Sequence, residues 1–323
     1  MISRLLSVSL VSLAFALAPA KAAFAAYPDK PIRLIVPSAP GGAPDVLMRA
    51  LADQLSRQMN VPIVIDNKPG GSYVIGTMEV VRAPADGYTL GYGNVVSLAT
   101  NKSLLANVPY DAEKDLTLIS NAVRVVNIVS VNNDVPVKSI PELIAYAKKN
   151  PDKLAFGSDG NGTTAHLGME LFKSMTGVRM LHVPYKAATA AITDLIGGGV
   201  QVLMSNTPAI APMVQQGRVR ALGITSVQRS PTFPDIPPIA DTVPGYEVIS
   251  WGGLVGPANL PKDIVTRLNQ EIRTALDSQS VRERFKTLGA DATPSTPEEF
   301  RELSRRETEK WAKVVKSSGA KVD

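Results

Sequence analysis

The sequence predicts an α/β protein built as two lobes. Three observations predict it. Short β-branched runs alternate with turn-forming segments and apolar stripes of helical period, the pattern of strand–loop–helix units. That alternation starts near Ile32 and restarts after residue 124. Without its expected leader the chain has about 300 residues, enough for two compact units.

The leader is read from the first residues. Arg4 supplies a short positive region, and an apolar run from Leu5 to Ala20, broken only by serines, follows it. Small residues from Ala18 to Ala26 then offer a signal-peptidase site, with cleavage expected after Ala25. The run is shorter than the ~20 residues of a membrane-spanning helix. Residues 1–25 are therefore expected to be a removed signal peptide, leaving a soluble, exported, periplasmic chain that starts just before Tyr27. No cysteine follows the run for lipid attachment.

In the first α/β half, Ile32 to Val36 reads as a strand and Pro37 to Gly42 as a turn. Val46, Leu47, Ala50, Leu51 and Leu55 recur at helical spacing, with Pro44 suited to a first turn. Val61 to Ile65 reads as a strand, Pro69 to Ser72 as a loop and Val74 to Arg82 as a helix. Thr89 to Gly91 is the next strand.

The second half opens with Val125 to Val131, an apolar segment placed to cross between lobes. A helix over Pro141 to Lys149 follows, with Ser139 as its N-cap. Leu154 to Gly157 is a strand, Ser158 to Thr164 a Gly-rich loop and Ala165 to Thr176 a helix. Met180 to Val183 is a strand, and Pro184-Tyr185-Lys186 opens a helix that Gly197-Gly198-Gly199 ends. Val200 to Met204 and Ala221 to Thr225 read as strands, and Pro261 to Lys316 is mainly helical. The expected division is 26–124 for lobe 1, 125–249 for lobe 2 and 250–323 for a return to lobe 1. Trp251-Gly252-Gly253 and the segment near Val125 are the hinge candidates.

Composition narrows the function. Hydrophobic residues at 45% and charged residues at 20% are ordinary for a globular protein. Cysteine is absent, which excludes disulfides, thiolate metal sites and a cysteine nucleophile. The net charge is +5, or +3 once Arg4 and Lys21 leave with the leader, and the basic residues are scattered. Nucleic-acid binding therefore has little support.

One local event recurs. At Ser38 to Asp45, at Ser158 to Thr164 and at Tyr185 to Thr189, a strand ends in small or hydroxyl residues and a helix begins. A helix start leaves N–H groups unpaired and carries partial positive charge, so it attracts anions without lysine or arginine. Taken singly, such glycines and threonines make only turns and caps. Three of them on successive α/β units point to a ligand beyond the strand ends. Ser38, Thr163 and Thr164 can add hydroxyl donors, while Asp45 caps or braces its helix.

The stretches PSAPGGAPDVLMRALADQL (37–55), DNKPGGSYVIG (66–76), FGSDGNGTTAHLGMELF (156–172), VPYKAATAAITDLIGGGVQ (183–201) and ALGITSVQRSPTFPDIPPI (221–239) resemble the extracytoplasmic binding proteins of tripartite tricarboxylate transporters, the Bug family. The resemblance runs in order through essentially the whole mature chain. It implies an α/β, two-lobed periplasmic binding protein fold with a hinge and a ligand cleft between the lobes. It also implies a small carboxylate ligand: a di- or tricarboxylate, an acidic amino acid, nicotinate or another aromatic acid. The resemblance places the ligand between the Pro37 to Gly42 loop of lobe 1, with Ser38, Ala39, Pro40, Gly41 and Gly42 as candidates, and Thr163, Thr164 and the Tyr185 to Ala188 loop of lobe 2, with Tyr185, Lys186 and Ala187, held largely by backbone amides and waters. Asn94, His166, Ser205 and Asn206 complete the candidate set. Integral-membrane transporter subunits are the implied partners, and a monomer with no cofactor is expected.

Two positions depart from the family pattern. Ser205 stands where an aspartate is common, which removes repulsion toward a second carboxylate and a partner for a ligand amine, so a di- or tricarboxylate or an aromatic acid is expected rather than an amino acid. Gly70-Gly71-Ser72-Tyr73 replaces a Gly-Ala-Gly-Gly loop, so Tyr73 either covers a longer or aromatic ligand or lies on the surface. Lys186 either pairs with a second carboxylate or is simply solvated.

No catalytic constellation is legible. The only histidines are His166 and His182, too few for a zinc site, and a structural hydrogen bond is the ordinary role of each. Gly157-Ser158-Asp159-Gly160 lacks the spacing of a nucleophile elbow. Gly160-Asn161-Gly162 lacks the lysine of a phosphate-binding loop. The expectation is a non-enzymatic binding protein that closes on its ligand. A ligand-sensing module of a membrane signalling system and an exported enzyme on the same scaffold are the alternatives.

Overall fold

A computed structural model describes residues 27–230, 232–318 and 320; the expected leader lies outside the described residues. In chain order the elements are β1 (Ile32–Val36), α1 (Ala43–Met59), β2 (Ile63–Asn67), α2 (Val74–Val81) and β3 (Thr89–Asn94). A π-helical turn (Val96–Thr100) leads to α3 (Asn101–Leu104), α4 (Ala112–Asp115), β4 (Leu116–Val131) and α5 (Ile140–Lys149). Next come β5 (Ala155–Ser158), α6 (Thr164–Thr176), β6 (Leu181–Pro184), α7 (Ala188–Gly197), β7 (Val202–Asn206), α8 (Thr207–Gln215) and β8 (Arg220–Ile224). The chain closes with β9 (Ile249–Pro257), α9 (Lys262–Asp277), α10 (Gln279–Thr287), β10 (Asp291–Ala292) and α11 (Pro297–Ser318).

The strands lie in the order β2-β1-β3-β9-β4-β7-β5-β6, with β8 and β10 also on β4. β4 joins the two halves. Over Leu116 to Val126 it pairs antiparallel with β9, and over Asn127 to Val131 it pairs with β7 and β8. The outer strands β2-β1-β3 and β6-β5-β7 are parallel, as strand–helix–strand crossovers require. The first half buries Leu47, Leu51 and Leu55 of α1 against Leu268, Ile272 and Leu276 of α9 and Phe285 of α10. The long helix α11 packs on both β4 and α6, burying Phe300 and Trp311.

Several elements depart from expectation, among them β3, which runs on to Asn94, and the unexpected α8; four departures have a direct cause. β2 starts two residues late and runs to Asn67, because its parallel register with β1 sets Val36 opposite Asn67. β4 begins nine residues early. Two register shifts, at Leu118/Ser120 and Asn121/Val123, break the alternation by which a strand is recognised. β9 is a nine-residue strand rather than a bare hinge. A side chain at Gly253 would start 2.0 Å from the Ser120 carbonyl oxygen, so its glycine serves close strand approach. Finally, α7 starts at Ala188, since Pro184 ends β6 opposite Ser158 and the Tyr185 N–H still donates to the Ser158 carbonyl.

Candidate functional site

The loop between β1 and α1 is held from beneath. Asp45, 2% exposed, accepts the Gly41 N–H at 2.8 Å, the Asn67 Nδ2 at 2.9 Å and the Arg49 Nε at 3.1 Å. Burial alone would push its carboxyl up; Arg49, the Gly41 amide and Asn67 outweigh that and hold it below the usual range. Asn67 also donates to the Ser38 carbonyl at 3.0 Å. Gly41 takes a left-handed φ of 77° that suits glycine. The Ser38 hydroxyl is buried without a protein partner, Ala39 accepts the Gly42 N–H at 3.3 Å, and Pro40 is exposed. No side chain caps α1, and Pro44 in its first turn brings no N–H.

The loop between β5 and α6 is tied internally and to both halves. The Thr163 hydroxyl caps α6 by accepting the His166 N–H at 3.3 Å and donates to the Gly160 carbonyl at 2.8 Å. The Thr164 hydroxyl meets the Ser250 hydroxyl of β9 at 2.7 Å, and Ser250 donates to Asn206 Oδ1 of β7 at 2.9 Å. Thr164 and Asn206 thus meet through Ser250, a residue the sequence does not flag except as the neighbour of Trp251-Gly252-Gly253. Strand register puts Asn94, Gly252, Ser250, Asn127 and Asn206 on one face of the sheet. Ser205, paired with Ile128, faces the opposite side, toward α7 and α8.

The two histidines stack at 3.9 Å between ring centroids, and Phe156 covers the other face of His182 at 4.8 Å. His166 Nδ1 accepts the Gly162 N–H at 3.0 Å, and His182 Nε2 lies 2.7 Å from the Ser158 hydroxyl. Burial, then His182 and Lys173, lower His166 to about 3; burial and Lys173 lower His182 to about 4. Both are neutral scaffolding for the loop, with the His166 proton on Nε2. Gly162 reaches the first half: its carbonyl accepts from Thr100 Oγ1 at 3.5 Å, and it sits directly against Leu104.

The third loop carries Tyr185, whose N–H donates to the Ser158 carbonyl at 3.0 Å and whose hydroxyl donates to Asp194. Burial and Asp194 push that hydroxyl up to about 12. The Tyr185 ring therefore braces α7. Ala187 begins α7 with no side-chain cap, and Lys186 is exposed beside it. Asn94, a candidate ligand residue, spends its Oδ1 on the Val96 and Ser97 amides at 3.0 and 3.1 Å. Tyr73 is half-buried, with burial and then the Asp159 carboxyl pushing its hydroxyl up to about 12.

Two surface hollows, of about 450 and 790 Å³, lie around Tyr110 and between α9 and the start of α11, away from these loops. Among the described residues, no group of three or more His, Cys, Asp or Glu is placed to hold a metal. No described helix is long and apolar enough to cross a membrane.

Comparison with known proteins gives a consistent answer. Residues 47–320 match the family model TctC, described as tripartite tricarboxylate transporter family receptor. BugT of Bordetella pertussis is 36% identical over 322 residues, covering 99% of each chain. The solved structure of Rpa4515 from R. palustris with adipate is 36% identical, with a TM-score of 0.86 over 92% of this chain and 100% of that one. MatC from Rhodopseudomonas palustris with bound malate is 27% identical, with a TM-score of 0.81 over 90% of this chain and 100% of that one. Fold, loop grammar and full-length similarity agree that the chain belongs to the tripartite tricarboxylate transporter family receptors, which are solute-binding proteins and not enzymes.

Proposed function

We propose that the protein is a periplasmic receptor that captures a small carboxylate between its lobes and delivers it to integral-membrane subunits of the same transporter. The observation that carries this reading is the pair of bare helix starts. α1 and α7 open without a side-chain cap beside the Ser38–Gly42 and Tyr185–Ala187 loops. Free amides at a helix N-terminus bind a carboxylate through hydrogen bonds and the helix dipole together. The similarity to proteins solved with adipate and with malate supports the same ligand class.

In this reading the carboxylate docks on the Ser38 hydroxyl and the first turn of α1, beside the Gly41 and Gly42 amides that already donate to Asp45 and Ala39. The second lobe closes with Thr163, Thr164 and the start of α7, and Lys186 stands where it attracts a second acid group. A thermal-shift and calorimetry panel of mono-, di- and tricarboxylates and aromatic acids tests it. A true ligand at a hundred times its dissociation constant adds about 2.7 kcal/mol of stability. A panel in which no carboxylate shifts melting rejects the reading.

A further inference from the structure

We propose that the Tyr92 hydroxyl is a ligand-binding donor on the floor of the cleft, and that residue 252 is glycine to leave room for it. This inference rests on the receptor reading above and adds a residue to its site.

Tyr92 stands on β3 opposite Leu254 of β9, and Asn94 stands opposite Gly252. Side chains alternate along a strand, so Tyr92, Asn94, Gly252 and Ser250 share one face. The Tyr92 ring leans along that face toward the carboxyl end of β3. A Cβ at Gly252 would stand 2.5 Å from its Cζ and closer still to its hydroxyl. Gly252 has no left-handed φ, so the backbone there does not require glycine; the phenol does. Two borders of the cleft meet at this point. β1 runs parallel to β3 with Ile35 opposite Gly91, so the Ser38 loop leaves β1 at the same end. Next along β9 on the same face is Ser250, whose hydroxyl meets that of Thr164, at the start of α6, at 2.7 Å.

Tyr92 is 6% exposed, yet among the described residues its hydroxyl makes no hydrogen bond. The other deeply buried tyrosines are spent: Tyr110 donates to the Ser97 carbonyl at 2.8 Å and Tyr246 to the Gly168 carbonyl at 3.0 Å. Nor is the Tyr92 oxygen sealed away, as both amide atoms of Asn127 are. A largely buried phenol with an open, unpartnered oxygen presents its O–H to whatever enters the cleft. Burial pushes the hydroxyl pKa up, so the group stays a neutral donor. A neutral donor suits a carboxylate, because the hydrogen bond is charge-assisted and sets no like charge against the ligand.

The test is titration calorimetry of the processed protein with malate, succinate, adipate and citrate, taking the tightest binder forward. Tyr92→Phe keeps the ring and removes only the donor. It is expected to bind that acid about tenfold or more weakly, with the urea midpoint of the unliganded protein unchanged. Gly252→Ala should weaken binding as well, but cost less than about threefold in a Tyr92→Leu background, where the ring it strikes is gone. Unchanged affinity in Tyr92→Phe overturns the assignment, and so does a fall in its urea midpoint that matches the lost affinity. An equal loss from Gly252→Ala in both backgrounds overturns it too. If the unaltered protein binds none of the four acids, the receptor reading fails and takes this inference with it, so the two failures are distinguishable.

Discussion

Thr164 and Ser250 stand 86 residues apart in the chain, yet their hydroxyls meet at 2.7 Å. Through Ser250 the first residue of α6 is fastened to β9 and on to Asn206 of β7. Ser250→Ala leaves the Asn206 oxygen and the Thr164 hydroxyl without their partner. The expected cost is about 1–3 kcal/mol in urea unfolding, with a clear loss of carboxylate affinity in calorimetry. An unchanged affinity would show that this junction supports the fold alone.

Asp45 supports a binding loop without needing to touch ligand. Asp45→Ala strips the acceptor from the Gly41 amide and from Asn67. The expected result is about tenfold weaker carboxylate binding, alongside about 1–3 kcal/mol lower stability. Asp45→Asn retains one acceptor oxygen and should lose less on both measurements.

Gly162 tests closure. Its φ is 77°, and an added Cβ would lie 1.9 Å from Leu104 Cδ2 of the other half. Gly162→Ala therefore strains the backbone by about 1–2 kcal/mol and blocks the approach of the two loops. Calorimetry should show weaker binding that Leu104→Ala partly restores, because the second change removes the clash but not the strain. Additive losses in the double variant would refute a direct contact.

The stacked histidines set an acid limit on stability. Both folded values, about 3 for His166 and about 4 for His182, lie below the ordinary 6.5. Between those limits the unfolded chain binds more protons than the folded one. Stability is therefore complete above about pH 6.5 and falls as pH drops toward 4. The slope approaches about 1.4 kcal/mol per pH unit for each histidine. Urea midpoints measured from pH 7.5 to 4.5 check this, and His182→Gln should flatten the decline by roughly half. A flat profile in the unaltered protein would contradict neutral, buried rings.

The alternation of strands and helices is legible along the chain, because apolar periodicity is a local signal repeated every two or 3.6 residues. It also marked the loops at Ser38, Thr163 and Tyr185, since glycine, proline and hydroxyl residues punctuate the chain wherever they stand. It showed β9 only as a glycine-rich segment. Glycine marks a hinge and a close strand contact alike until the neighbouring Ser120 carbonyl is known.

Which residues work together becomes visible only in the folded chain. Asn67 beneath Ser38 and Ser250 between Thr164 and Asn206 are pairings across separate elements. Ser205 and Asn206 are neighbours in the chain, but one step along a strand turns them to opposite faces of the sheet. Such partnerships depend on strand register over long separations, which no local pattern encodes.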